Sequence, residues 1–147
     1  MPPPVPGTAR LVVTQLARID PHVRPTITYT AATDPNNLLG RPNGYASKTA
    51  FRDSLVPRTY GADRSLGSVD VGGSVEYYST SAGARRRADY IQGLQARSPM
   101  LGTEYDYLDG AALLRVSGGL TPAQAGKLKA EFSRVMGRQA EGPVTAP

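Results

Sequence analysis

The side chains here that could do chemistry are few in kind. His22 is the only histidine and there is no cysteine, which excludes a thiol nucleophile, a zinc-thiolate site and a disulfide in this form of the chain. Ser54, Ser74, Ser81 and Ser117 are available as hydroxyls, but none stands in a Gly-x-Ser-x-Gly elbow. A Ser-His-Asp triad would have to recruit His22 from a segment punctuated by Pro21 and Pro25, so His22 reads as a surface residue. Carboxylates offer more. Glu104 and Asp106 share one face of a strand and Asp109 follows three residues after Asp106; held in a cleft with separated pKa values, such pairs do general acid and base work. Charged groups in a hairpin ordinarily face solvent, and that is the expectation here. No catalytic residue, metal set or cofactor is assigned.

The stretch from Asp34 to Tyr45, DPNNLLGRPNGY, surrounds two leucines with turn formers and amides. Asp34-Pro35 and Asn43-Gly44 initiate turns, so the segment reads as one ordered loop. Its candidate binding groups are Asp34, Asn36, Asn37, Arg41, Asn43 and Tyr45. Oxygens of Asp34, Asn36 and Asn37 could approach a hard cation, but the EF-hand pattern is absent, and turn building by the Asx side chains accounts for them. Gly40 to Gly44 could form an anion nest beside Arg41, yet they match no phosphate-binding fingerprint.

Charge supplies a second candidate. The formal net charge is +5, and 14 of the 17 basic residues are Arg. Arg85-Arg86-Arg87 is the densest basic run, the basis of a nucleic-acid alternative. Three consecutive helical residues fan around the axis, so a solvated helix face is the simpler reading. The aromatic-basic signature of an RNA-binding sheet is missing.

The elements that must position these groups fit one domain. Residues 1–25 read as a flexible or irregular N-terminal segment, with the type of Arg10 to Ile19 left open; residues 26–137 read as a single α+β domain and residues 138–147 as a disordered tail. Thr26 to Thr30 and Tyr45 to Asp53 alternate like strands and flank the polar loop. Ser74 to Tyr78 predicts a central strand with Val75 and Tyr77 on one face, Glu76 and Tyr78 on the other. A helix capped by Ser79, Thr80 or Ser81 follows, carrying Ala84, Ala88, Ile91 and Leu94 at helical spacing. Asp109-Gly110 predicts a hairpin, and Thr121-Pro122-Ala123-Gln124 is a capping box opening a helix that Gly137 ends. The second half is therefore βαββα: an antiparallel sheet with two helices packed on one face, for which a ferredoxin-like arrangement is the simplest topology.

The motifs DPNNLLGRPNGYASK from Asp34, DVGGSVE from Asp70, SPML from Ser98 and LTPAQA from Leu120 resemble a family of small bacterial proteins, many of them regarded as lipoproteins and without an established activity. The likeness spans about Thr26 to Met136. It implies an exported accessory protein and no reaction. The chain as written has no signal peptide or lipobox cysteine, which departs from that pattern. The expectation is an extracytoplasmic location if the chain is a trimmed exported protein, otherwise a cytoplasmic one.

Together these readings favour a non-catalytic binding or accessory module that contacts a protein, peptide or envelope component through the 34–45 loop, without a transmembrane segment. A nucleic-acid binder using Arg85, Arg86 and Arg87 is the alternative, and a carboxylate-dependent hydrolase the second alternative. Oligomeric state is not written in the sequence.

Overall fold

The computed structural model describes residues 8–101 and 103–137. The expectations for residues 1–7 and for the 138–147 tail lie outside these. In chain order the main elements are α1 (Ala9–Ile19), β1 (Val23–Thr28), β2 (Ser47–Asp53), β3 (Gly72–Tyr77), α2 (Ser81–Arg97), β4 (Glu104–Asp109), β5 (Ala112–Ser117) and α3 (Pro122–Met136). The strands form one sheet in the order β1-β2-β3-β5-β4, antiparallel at every pairing. β3 is central, and β3-α2-β4-β5 is a split β-α-β unit, with β5 inserted between the strands that α2 connects.

Alternation along the strands sorts the sheet into two unlike faces. Val75 of β3, Ala112, Leu114 and Val116 of β5, and Tyr107 of β4 point to one side, where Val12, Val13 and Leu16 of α1 and Leu128, Phe132 and Met136 of α3 complete the main core. The opposite side carries Leu108 and Leu113, packed by Ala84, Ala88 and Ile91 of α2 with Tyr45 and Tyr78. The α+β class with helices packed on an antiparallel sheet holds, but α2 and α3 do not share one face as expected: α3 packs beside α1, and α2 lies on the other face. The sequence reading paired α2 with α3, and the helical stripes alone do not say which face each helix covers.

The irregular N-terminal segment expected over residues 1–25 is corrected for its described part. Ala9, Val12, Val13 and Leu16 recur at helical spacing and are all fully buried; Thr8 caps the helix by accepting from the Leu11 amide, and Asp20 ends it. The domain therefore begins at α1. Pro25 is accommodated because β1 is an edge strand with a register irregularity after it. Thr80 is the cap of α2, Thr121 and Gln124 form the capping box of α3, and Gly137 closes α3 in the left-handed region. At the β4–β5 hairpin Gly110 has φ 57°, the positive first central angle of a II′-type turn. Gly73 stands within β3, where a Cβ would come 2.2 Å from the Arg115 carbonyl oxygen.

No described helix is long and apolar enough to cross a membrane.

Candidate functional site: a cleft between a polar loop and helix α2

The 34–45 loop is built around one carboxylate. Asp34 Oδ1 accepts from the Asn36 amide at 3.0 Å and from the Tyr45 hydroxyl at 2.7 Å; Oδ2 accepts from the Leu38 and Leu39 amides at 2.8 and 2.9 Å. Burial pushes the Asp34 carboxyl up, but the bonds from Tyr45 and the three amides outweigh it and hold the group below its ordinary value. Asn37 and Asn43 take positive φ of 54° and 65°, left-handed turn positions that asparagine tolerates. At Gly44 a Cβ would lie 1.8 Å from the Leu38 carbonyl oxygen, so only glycine lets the two arms of the loop meet. The Gly40 amide donates to the Tyr45 carbonyl at 2.9 Å and closes the loop.

Tyr45 ties this loop to the sheet. It is fully buried, meets Tyr78 edge to face at 5.9 Å, and lies under Lys48 Nζ at 5.4 Å from its ring centre. Tyr78 in turn donates to Glu76 Oε1 at 2.8 Å. Glu76 is fully buried in the middle of the sheet and gathers three cations: Lys48 Nζ at 3.1 Å, Arg87 Nε at 3.2 Å and Arg115 Nη1 at 3.1 Å. Burial opposes its charge, yet Arg115, Lys48 and Arg87 with the Tyr78 hydroxyl hold it down at about 2. Arg115 also forks onto Glu104, with Nε to Oε2 and Nη2 to Oε1 both 2.8 Å.

Asp106 ends the chain of contacts. It is fully buried, accepts from Gln92 Nε2 of α2, and lies beside Glu104. Burial, the hydrogen bond to Glu104 and the neighbouring negative charge all push Asp106 up, while Arg115 keeps Glu104 ionised. These causes favour the protonated form at Asp106, whose Oδ1 has no other hydrogen-bond partner among the described residues. The expectation that Glu104 and Asp106 face solvent is corrected: α2 covers their face of the sheet, and Gln92 and Gln95 reach down to Asp106 and to the Glu104 amide. Asp109 is buried as well.

Above this network lies a cleft of about 1040 Å³. Asn36, Leu38 and Asn43 form one wall; Arg86, Arg87, Tyr90, Ile91, Leu94 and Gln95 of α2 form another; Val69, Asp70, Thr103, Glu104 and Arg115 complete it. Tyr90 is 55% exposed and Leu94 36%, so the α2 wall presents apolar surface to the opening. A mixed lining of this size suits an organic ligand or a short peptide rather than a bare ion.

Two features that sequence spacing treated as rivals, the loop and the arginine run, therefore meet on one cleft. Within the loop, Asn36 and Asn43 line it. Asp34 and Tyr45 are spent inside the loop, and Arg41 Nε donates to Asn37 Oδ1 at 3.1 Å away from the cleft wall. Within the run, Arg86 and Arg87 line the cleft, Arg87 bridging to Glu76, whereas Arg85 does not line it. Sequence reading missed Glu76, Arg115, Lys48 and Gln92. The available signal was the row of charges at strand period two, with Asp106 opposite Arg115 in the hairpin register.

Antiparallel pairing also brings together His22 and Ser54, which the sequence separates: Nδ1 and Oγ are 2.7 Å apart. Among the described residues no carboxylate is hydrogen-bonded to that ring; Asp20 accepts instead from the His22 backbone amide at 2.9 Å. On the α1–α3 side, Asp20 and Glu131 share Lys127, whose Nζ is 3.6 and 3.5 Å from them.

Comparison of the chain with protein-family models, with curated proteins and with solved structures gives no match.

Proposed function

We propose that the protein is a non-catalytic binding module that takes a short peptide, or a peptide-like ligand with an apolar group and an acidic group, in the cleft between the 34–45 loop and α2. The observation that carries this reading is the pairing of exposed apolar groups, Tyr90 and Leu94, with loop amides and the Arg86 guanidinium around one opening. The loop is held rigidly by Asp34 and Tyr45, so its amides are presented with little ordering cost on binding. Asn36 and Asn43 would bond a peptide backbone, Tyr90, Ile91 and Leu94 would receive its apolar side chain, and Arg86 would meet its acidic group. An extracytoplasmic accessory role belongs to the same proposal, on the strength of the family resemblance of the loop motif.

The buried Glu104–Asp106 pair gives the hydrolase reading a specific observation of its own. It is the weaker reading, because both Glu104 oxygens are taken by Arg115 and Asp106 is not on the cleft wall. A nucleic-acid role for Arg85, Arg86 and Arg87 loses Arg87 to Glu76.

Panning a random peptide library on immobilised protein tests the proposal, with wild type compared against Tyr90→Ala/Leu94→Ser. Enrichment of an acidic, apolar consensus on wild type and its loss on the variant is the expected result. No consensus, or the same consensus on both proteins, would overturn it. A substrate turned over by wild type and spared by Glu104→Gln would move the assignment to the hydrolase.

A further inference from the structure

A second cleft, of about 710 Å³, opens at the far end of the β1–β2 pair and has a different chemistry. Arg24 of β1 and Arg52 of β2 are direct partners across the two strands. Strand alternation places Arg52 on the same sheet face as Lys48, in the part that α2 does not cover. Arg58 and Arg64 from the loop after β2 line the same cleft, so four arginines border one space. Like charges directly opposite on paired strands repel, and sheets ordinarily avoid them. Among the described residues, neither Arg24, Arg52 nor Arg58 has an acidic partner within ion-pair distance. Arg64 Nη1 donates to the Tyr60 carbonyl at 2.8 Å and to the Pro57 carbonyl at 3.3 Å, both within the 57–64 loop, which leaves its other guanidinium nitrogens for the cleft. The one carboxylate on the wall, Asp53, is buried, and its Oδ1 accepts from the Leu55 amide at 2.9 Å. The His22–Ser54 pair lies in the same cleft and adds short, directional hydrogen-bonding groups.

We infer that this cleft is a binding site for the phosphoryl group of a small phosphorylated molecule. Planar guanidinium forks match the oxygens of a phosphoryl group, whose charge would relieve the Arg24–Arg52 repulsion. The Ser54 hydroxyl and the His22 ring would bond an oxygen at the inner end, and the remaining volume accommodates an organic body beyond the phosphate. The site is separate from the α2 cleft and stands or falls independently of the peptide-binding proposal.

Calorimetric titration with inorganic phosphate and with pyrophosphate tests it, alongside sedimentation with vesicles of phosphatidylcholine containing phosphatidic acid and a titration with a short single-stranded DNA. Wild type is expected to bind pyrophosphate saturably, and Arg24→Gln/Arg52→Gln to weaken this by about tenfold or more, since bonds to charged groups are being removed. A control of equal net charge, Arg10→Gln/Arg134→Gln, is expected to bind as wild type does. Without ligand and at low salt, the cleft variant should melt no lower than wild type, which separates lost binding from lost folding. Binding to the vesicles alone, abolished by the same pair of substitutions, keeps the site and makes its phosphate lipid-borne. Absence of saturable binding to both soluble probes and to vesicles would overturn the inference. So would equal weakening in the control, or binding confined to DNA.

Discussion

Asp106→Asn is expected to stabilise the protein at neutral pH, against the usual sign for a change at a fully buried position. In the folded chain Asp106 keeps its proton, whereas in the unfolded chain it loses it near its ordinary value of 3.8. Above that pH the folded state therefore binds more protons than the unfolded one, and the group's contribution to stability falls as pH rises until the folded carboxyl itself ionises. At pH 7 the interval is about three pH units at 1.36 kcal/mol each, a ceiling of about 4 kcal/mol for the cost that Asp106 imposes. Asparagine keeps a carbonyl to accept from Gln92 and supplies an N–H toward Glu104, without the proton to retain. Imperfect amide geometry takes back part of the gain, leaving an expected stabilisation of about 1–3 kcal/mol at pH 7. The gain should shrink as pH falls and pass through zero toward a small loss below about pH 3, where both states of wild type are protonated and only the cost of amide geometry remains. Urea unfolding of both proteins across this range measures the difference directly, and groups titrating alike in both cancel. A variant less stable than wild type at pH 7, or a gain that does not decline toward acid, would refute the raised Asp106 carboxyl.

Glu76→Gln should be costly, because it leaves Lys48, Arg87 and Arg115 gathered without their common counter-charge; a loss of about 3–5 kcal/mol is expected in denaturant unfolding. Gly44→Ala places a Cβ against the Leu38 carbonyl, so the loop must open; amide exchange of Leu38 and Leu39, now protected by Asp34, should accelerate while that of β3 and β5 stays slow. Leu16→Ala, in the helix that the N-terminal reading did not anticipate, should cost about 2–5 kcal/mol, as for a core leucine.

Where a local rule and the global fold agree, the sequence was readable. Thr121 with Gln124, the Asp109-Gly110 turn and the alternation of Val75 against Glu76 each specify their own geometry within a few residues. Helix α1 was legible in principle from Ala9, Val12, Val13 and Leu16, but its stripe is bracketed by proline-rich sequence and Asp20-Pro21, which argue locally against order. The buried network was hidden for a different reason. Glu76, Glu104, Asp106 and Arg115 alternate with apolar residues as a solvated sheet face would, and only the placement of α2 over that face buries them. Which face a helix covers depends on the path of its connections, and helical spacing does not encode it. The cleft inherits the same limit, since Asn36, Asn43, Arg86 and Tyr90 meet only once loop and helix are seated on the sheet.

Amide chemical-shift mapping with a peptide enriched on the wild-type protein tests the central claim most directly. The account predicts saturable shifts at Asn36, Leu38, Asn43, Tyr90 and Leu94, lost in Tyr90→Ala/Leu94→Ser while the remaining spectrum is preserved. Shifts confined to another surface, or undiminished in that variant, would contradict it.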